Sequence, residues 1–112
     1  MIQISILHTL RDEIYKTFKK DSLKIYELIE GLKENPNKGK TLGHVGSMSI
    51  RELRYGSFRF YYIIDGNKLR LFNQTKIAEL LIQFIAMSKK HDQKRTIEEI
   101  KELIKRINDK DS

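Results

Sequence analysis

Residues 48–64, MSIRELRYGSFRFYYII, constrain the fold more than any other stretch of the chain. Two runs of β-branched, aromatic and leucine residues flank Tyr55-Gly56-Ser57-Phe58, and such runs around a short glycine-bearing turn read as a β-hairpin. If residues 55–58 close a regular turn, Leu53 faces Phe60 and Arg54 faces Arg59. Side chains alternate along a strand, so Leu53, Phe60 and Ile64 point to one face and Glu52, Arg54, Arg59 and Tyr61 to the other. Two directly opposed arginines repel, and nothing in local stability asks for that pairing. A bound phosphate would relieve it.

The flanking segments supply the rest of an α+β domain. Ile2, Ile4 and Ile6 alternate with Gln3 and Ser5, which predicts a strand over residues 2–8. Thr9 is placed to cap a helix with Leu10, Ile14, Tyr15 and Phe18 at helical spacing. Asp12 and Glu13 lie toward its positive end, and Lys19 and Lys20 toward the other. Asp21 or Ser22 restarts the chain as a second helix with a stripe of Ile25, Tyr26, Leu28, Ile29 and Leu32. Asn35-Pro36-Asn37 stops it, because the residue before proline is pushed out of helical geometry. Residues 37–47, rich in Gly, Asn, Lys and Ser, read as a connecting loop anchored by Thr41 and Leu42. Asp65-Gly66-Asn67 is a hairpin signal that introduces a third strand, and a polar turn at Asn73 to Lys76 leads to another over Leu80 to Ser88. Thr96-Ile97-Glu98-Glu99 is a capping box for a last helix with Ile97, Ile100, Leu103, Ile104 and Ile107 on one face. The expected order is β-α-α-β-β-β-β-α, in one domain over residues 1–112.

Composition narrows the function. With 39% hydrophobic and 33% charged residues in 112, the chain has the balance of one folded domain. The absence of cysteine removes disulfides, thiolate chemistry and cysteine-ligated zinc. The N-terminal run is soon broken by charge, unlike a signal peptide, and no run approaches the roughly 18 apolar residues of a membrane span, so a soluble, cytoplasmic protein with no membrane partner is expected. His8, His44 and His91 share no metal-ligand spacing, and neither metal nor cofactor is expected. The net charge of +7 is uneven. Six basic and six acidic residues cancel between Arg11 and Glu34, whereas Lys38, Lys40, Arg51, Arg54 and Arg59 face only Glu52 between positions 38 and 59. Lys89 to Arg106 adds seven basic residues against four acidic. A polyanion can be gripped there if the fold joins the two segments.

Asn35-Pro36 with Gly39-Lys40 and Leu42, Arg51-Glu52-Leu53-Arg54, Phe58-Arg59-Phe60-Tyr61-Tyr62, and Phe84 through Lys89-Lys90 together resemble the RelE/HigB/ParE superfamily of small toxins, most nearly its RelE/HigB-like mRNA interferases. The resemblance spans nearly the whole chain. It implies a twisted antiparallel sheet packed on the N-terminal helical hairpin, a C-terminal helix, and an antitoxin partner. RelE and HigB relatives cut mRNA on the ribosome and ParE relatives poison gyrase. Three functions are therefore open: a ribosome-dependent endoribonuclease that inhibits translation, a gyrase inhibitor, and an inactive relative that binds only antitoxin or RNA.

RNA cleavage by attack of the 2′-hydroxyl on the adjacent phosphorus calls for a base, an acid for the leaving oxygen, and cations for the phosphorane. The resemblance places Arg59 where the ribonucleases carry a strand arginine, whose fork stays protonated at any relevant pH. Arg54 opposite would help. Lys90 falls near a second basic residue of the family, with Lys89 or Lys40 able to stand in. The chain departs from the family at Ile50 and Glu52, where RelE ribonucleases carry lysines, and at Thr96, where a tyrosine often opens the last helix. His91 and Glu52 are left as proton carriers, Glu52 either as a base or as a salt-bridge partner of Arg54. Lys40, Arg54, Tyr61, Lys89, Lys90, Lys94 and Arg95 are the candidate RNA contacts. Tyr61 reads either as a base-stacking ring or as ordinary strand packing. Lys101, Lys105 and Arg106 alternate with Glu98, Glu99 and Glu102 as a salt-bridged solvated face. The stripe of that helix reads as core and, by the resemblance, as an antitoxin surface. Homo-oligomerisation is left open by these residues.

Overall fold

The computed structural model describes residues 2–36, 38–46, 48–65 and 80–111. β1 (Ile2–Ile6) leads into α1 (His8–Phe18), a 3₁₀ turn (Lys19–Asp21) and α2 (Ser22–Glu30). β2 (Lys40–Val45), β3 (Met48–Tyr55), β4 (Phe58–Asp65) and β5 (Leu80–Lys89) follow, and after a 3₁₀ turn at Lys90–Asp92 the chain ends in α3 (Gln93–Asp111). The strands form one sheet in the order β1-β5-β4-β3-β2.

The β3–β4 hairpin has the expected register, with Leu53 opposite Phe60 and Arg54 opposite Arg59. Gly56 takes the turn at φ +59°, a conformation that costs glycine nothing. One sheet face carries Leu53, Phe60, Tyr62, Ile82 and Phe84 against Leu10, Ile14, Ile25 and Ile29 of the helical hairpin. Phe18 closes this layer over the turn, its ring edge-on to Tyr55 at 5.7 Å and Phe58 at 4.9 Å. The opposite face carries Ile50, Tyr61 and Ile63 beneath Ile100 and Ile104 of α3. The sheet is thus sandwiched between the hairpin and the C-terminal helix.

Several expectations are corrected. The sheet is mixed, not wholly antiparallel, because β1 runs parallel to β5. Residues 40–45 form β2 instead of a loop. The edge of β3 supplies its ladder, and the register shift between Thr41 and Gly43 lets Leu42 pack in the layer under α3. Pairing of this kind follows the neighbouring strand more than intrinsic propensity, so a Gly- and Lys-rich segment hides it. Thr9 caps nothing: α1 begins at His8 after Leu7, with no side-chain cap. Thr96 lies inside α3, where its hydroxyl donates to the Asp92 carbonyl at 3.0 Å, so the helix opens three residues before the expected capping box. Of the α3 stripe, Ile100 and Ile104 are buried while Leu103 is 45% exposed. Among the described residues no ion pair joins Lys101, Lys105 or Arg106 to Glu98, Glu99 or Glu102. The strand expected after Asp65-Gly66-Asn67 and the turn at Asn73 to Lys76 lie outside the described residues. Among those residues no helix is long and apolar enough to cross a membrane.

Candidate nucleic-acid interface

The sheet gathers the singled-out residues at one end. On the α3 face, Arg54 of β3, Arg59 of β4 and Ser88 of β5 are successive cross-strand neighbours. The adjacent row is Lys40, Glu52, Tyr61 and Ala86. The Lys90 amide donates to the Ser57 carbonyl at 2.8 Å, which ties the β5–α3 junction to the hairpin turn and brings Lys89, Lys90 and His91 to the same end. Lys94 and Arg95 follow on the first turns of α3. The fold therefore joins the two basic segments. Seven Lys and Arg side chains (positions 40, 54, 59, 89, 90, 94 and 95) gather there, and among the described residues their ion pairs are Arg54 with Glu52 and Arg95 with Asp92, an excess suited to a polyanion.

The individual environments differ from the sequence expectation. Alternation puts Arg59 on the face away from Leu53 and Phe60, yet that face does not leave it open, and it is only 5% exposed. Its Nη1 donates to the carbonyls of Gly56 at 3.1 Å and Phe58 at 3.0 Å, pinning the turn, while its buried Nε has no partner. Tyr61 is fully buried, and its hydroxyl pairs with Ser88 Oγ at 2.7 Å, so the ring offers no open face to a base. Burial pushes the Tyr61 phenol above its usual range, partly countered by the Ser88 hydrogen bond.

Glu52 is buried as well, and both its oxygens are occupied. Arg54 Nε donates to Oε1 at 3.2 Å, and Gln93 Nε2 from α3 donates to Oε2. The salt bridge to Arg54 is thus present, and each oxygen of Glu52 already accepts a hydrogen bond from the protein. The Arg54 side chain is 56% exposed and lines a cavity of about 270 Å³ with Lys38, Lys40 and Leu53. His91 is exposed, with Nε2 3.4 Å from Asp92, which also meets Arg95 at 3.5 Å. These three line a cleft of about 650 Å³ that extends past Lys89 and Ser88 to Glu13 and Thr17 of α1. Burial raises the Glu13 carboxyl above its usual value.

Sequence reasoning missed Gln93 and Ser88. Gln93 and Ser88 act through contacts to Glu52 and Tyr61, respectively 41 and 27 residues away, which no local pattern signals. Among the described residues no three acidic or histidine side chains are grouped to hold a metal.

No protein-family model and no curated protein sequence matches the chain. A solved structure does, with a TM-score of 0.58: a chain of the archaeal RelE–RelB complex of Pyrococcus horikoshii OT3, aligned over 80% of this chain and 94% of that one at 14% identity. The chain has the RelE-like fold. At that identity the likeness concerns architecture alone. At the basic end of the sheet Arg54 and His91 are open to solvent, whereas Glu52 and Tyr61 are buried against α3 and Arg59 is buried on its own turn.

Proposed function

We propose that this chain is the toxin of a toxin–antitoxin pair and cuts mRNA on the ribosome as an endoribonuclease. The observation that carries the reading is the basic end of the sheet, where Arg54 and Arg59 sit beside the Lys89-Lys90-His91 junction. The RelE-like fold, seen elsewhere in a RelE–RelB complex, supports the antitoxin partner.

The chemistry follows from which groups are open. The RNA 2′-hydroxyl attacks the adjacent phosphorus, and the P–O5′ bond breaks to leave a 2′,3′-cyclic phosphate and a 5′-hydroxyl. Arg54, with an exposed guanidinium, and the lysines at 89 and 90 would hold the phosphate oxygens as charge builds on them. Arg59 adds a fixed positive charge behind them while holding the turn. With both Glu52 oxygens engaged, His91 is the exposed group placed to move protons, and positioning of the RNA would carry much of the rate.

The test is induction of the full chain in cells, with primer extension across an abundant mRNA and DNA breaks scored in parallel. Cleaved mRNA without DNA breaks is expected, and His91→Ala should slow cleavage at least about a hundredfold. DNA breaks with intact mRNA would replace this reading with gyrase inhibition, and neither effect would leave a binding-only protein.

A further inference from the structure

Arg54 and Glu52 lie on the same face of β3 and meet through one nitrogen, Nε on Oε1 at 3.2 Å. A guanidinium beside a carboxylate commonly closes as a two-pronged fork on both oxygens. Here the second oxygen is taken by Gln93 Nε2, reaching in from the first turn of α3. The Glu52 side chain has no exposed surface, so Gln93 and Arg54 supply the donors that a buried carboxylate requires. The rest of the Arg54 guanidinium has no partner among the described residues and opens to solvent beside the Lys38–Lys40 cavity.

We propose that Gln93 is a positioning residue that keeps Arg54 available to an RNA phosphate. By donating to Oε2 with a neutral amide, it competes with Arg54 for that oxygen and disfavours a second Arg54 donor on Glu52. The guanidinium then neutralises the buried carboxylate through Nε and presents its Nη edge outward, where a phosphodiester can accept two parallel hydrogen bonds. Without Gln93, Oε2 is a buried acceptor lacking its donor, and Arg54, already bonded to Oε1, can supply one. The inference rests on the RNA-binding reading of this end of the sheet, and it assigns a role to a side chain that itself touches no RNA.

The test uses the purified full chain and a labelled oligouridylate, with affinity measured across a range of salt concentrations. Arg54→Ala should make the plot of log affinity against log salt shallower by about 0.7, the contribution of one single-strand phosphate contact. Gln93→Leu should do the same although Arg54 is still present. Adding Glu52→Gln to Gln93→Leu should restore the wild-type slope, because a neutral amide no longer draws the whole guanidinium inward. Circular dichroism checks the fold of each variant, and Gln93→Ser replaces Gln93→Leu if leucine is not accommodated. A wild-type slope in the Gln93 variants alongside a shallower one in Arg54→Ala overturns the inference and leaves the RNA reading standing. So does a loss in Gln93→Leu that Glu52→Gln does not rescue, which would mark Gln93 as purely structural. An unchanged slope in Arg54→Ala removes both the inference and the phosphate contact assigned to Arg54.

Discussion

Replacing Arg59 with alanine should destabilise the fold by about 2 kcal/mol, well above the roughly 0.5 kcal/mol of an ordinary surface substitution. The side chain is 5% exposed and makes two hydrogen bonds to turn carbonyls. Each bond contributes about 1 kcal/mol net, and the buried aliphatic stem adds about 2 kcal/mol at roughly 0.8 kcal/mol per methylene. Against this, truncation frees the protein of a buried Nε without a partner, worth about 1–2 kcal/mol in the other direction. The net loss of about 2 kcal/mol should lower the melting temperature by about 8 °C or more at this chain length. Urea unfolding followed by circular dichroism is the assay, with the midpoint falling and the slope unchanged, since the turn opens no new surface in the native state. A loss below about 0.5 kcal/mol would refute the argument and return Arg59 to the surface role inferred from alternation alone. The result also governs how an inactive Arg59→Ala is read, because a destabilised turn displaces Arg54 and the Lys89–His91 junction along with the charge.

Gly39→Ala should cost about 2–3 kcal/mol in the same assay. The added Cβ would meet the Tyr62 hydroxyl, Tyr62 Cζ at 2.9 Å and the Glu52 carbonyl at 2.7 Å; an unchanged midpoint would contradict this packing, and Tyr62→Phe in the alanine background should recover part of the loss. Burial raises the Tyr61 and Tyr62 phenols above the ordinary 10.0, in Tyr62 against the nearby Arg51 charge, so the unfolded chain ionises first. Their contribution is whole below pH 10 and is lost as pH climbs through the folded values. Urea midpoints should therefore fall between about pH 9 and pH 11, less steeply in Tyr61→Phe and Tyr62→Phe, and midpoints as steep in both variants as in wild type would show that neither phenol is responsible.

What was legible in the sequence is what depends on short-range periodicity. The β3–β4 register, the inward Leu53 and Phe60, the helical hairpin and the run of basic residues at the β5–α3 junction all follow from alternation, helical spacing and turn chemistry within a few residues. These determined which side chains share a face, and so that Arg54 and Arg59 stand side by side. They did not determine what lies over that face. Arg59 turns back onto the carbonyls of its own turn, and burial of Glu52 and Tyr61 follows from α3 crossing the sheet, a contact between segments tens of residues apart. The same holds for β2, made a strand by the β3 edge, and for the parallel pairing of β1 with β5. Alternation assigns a residue to a face, but whether that face meets water or a helix is a property of the assembled layers. For a charged side chain, that difference decides whether its hydrogen bonds go to a ligand or to the protein itself.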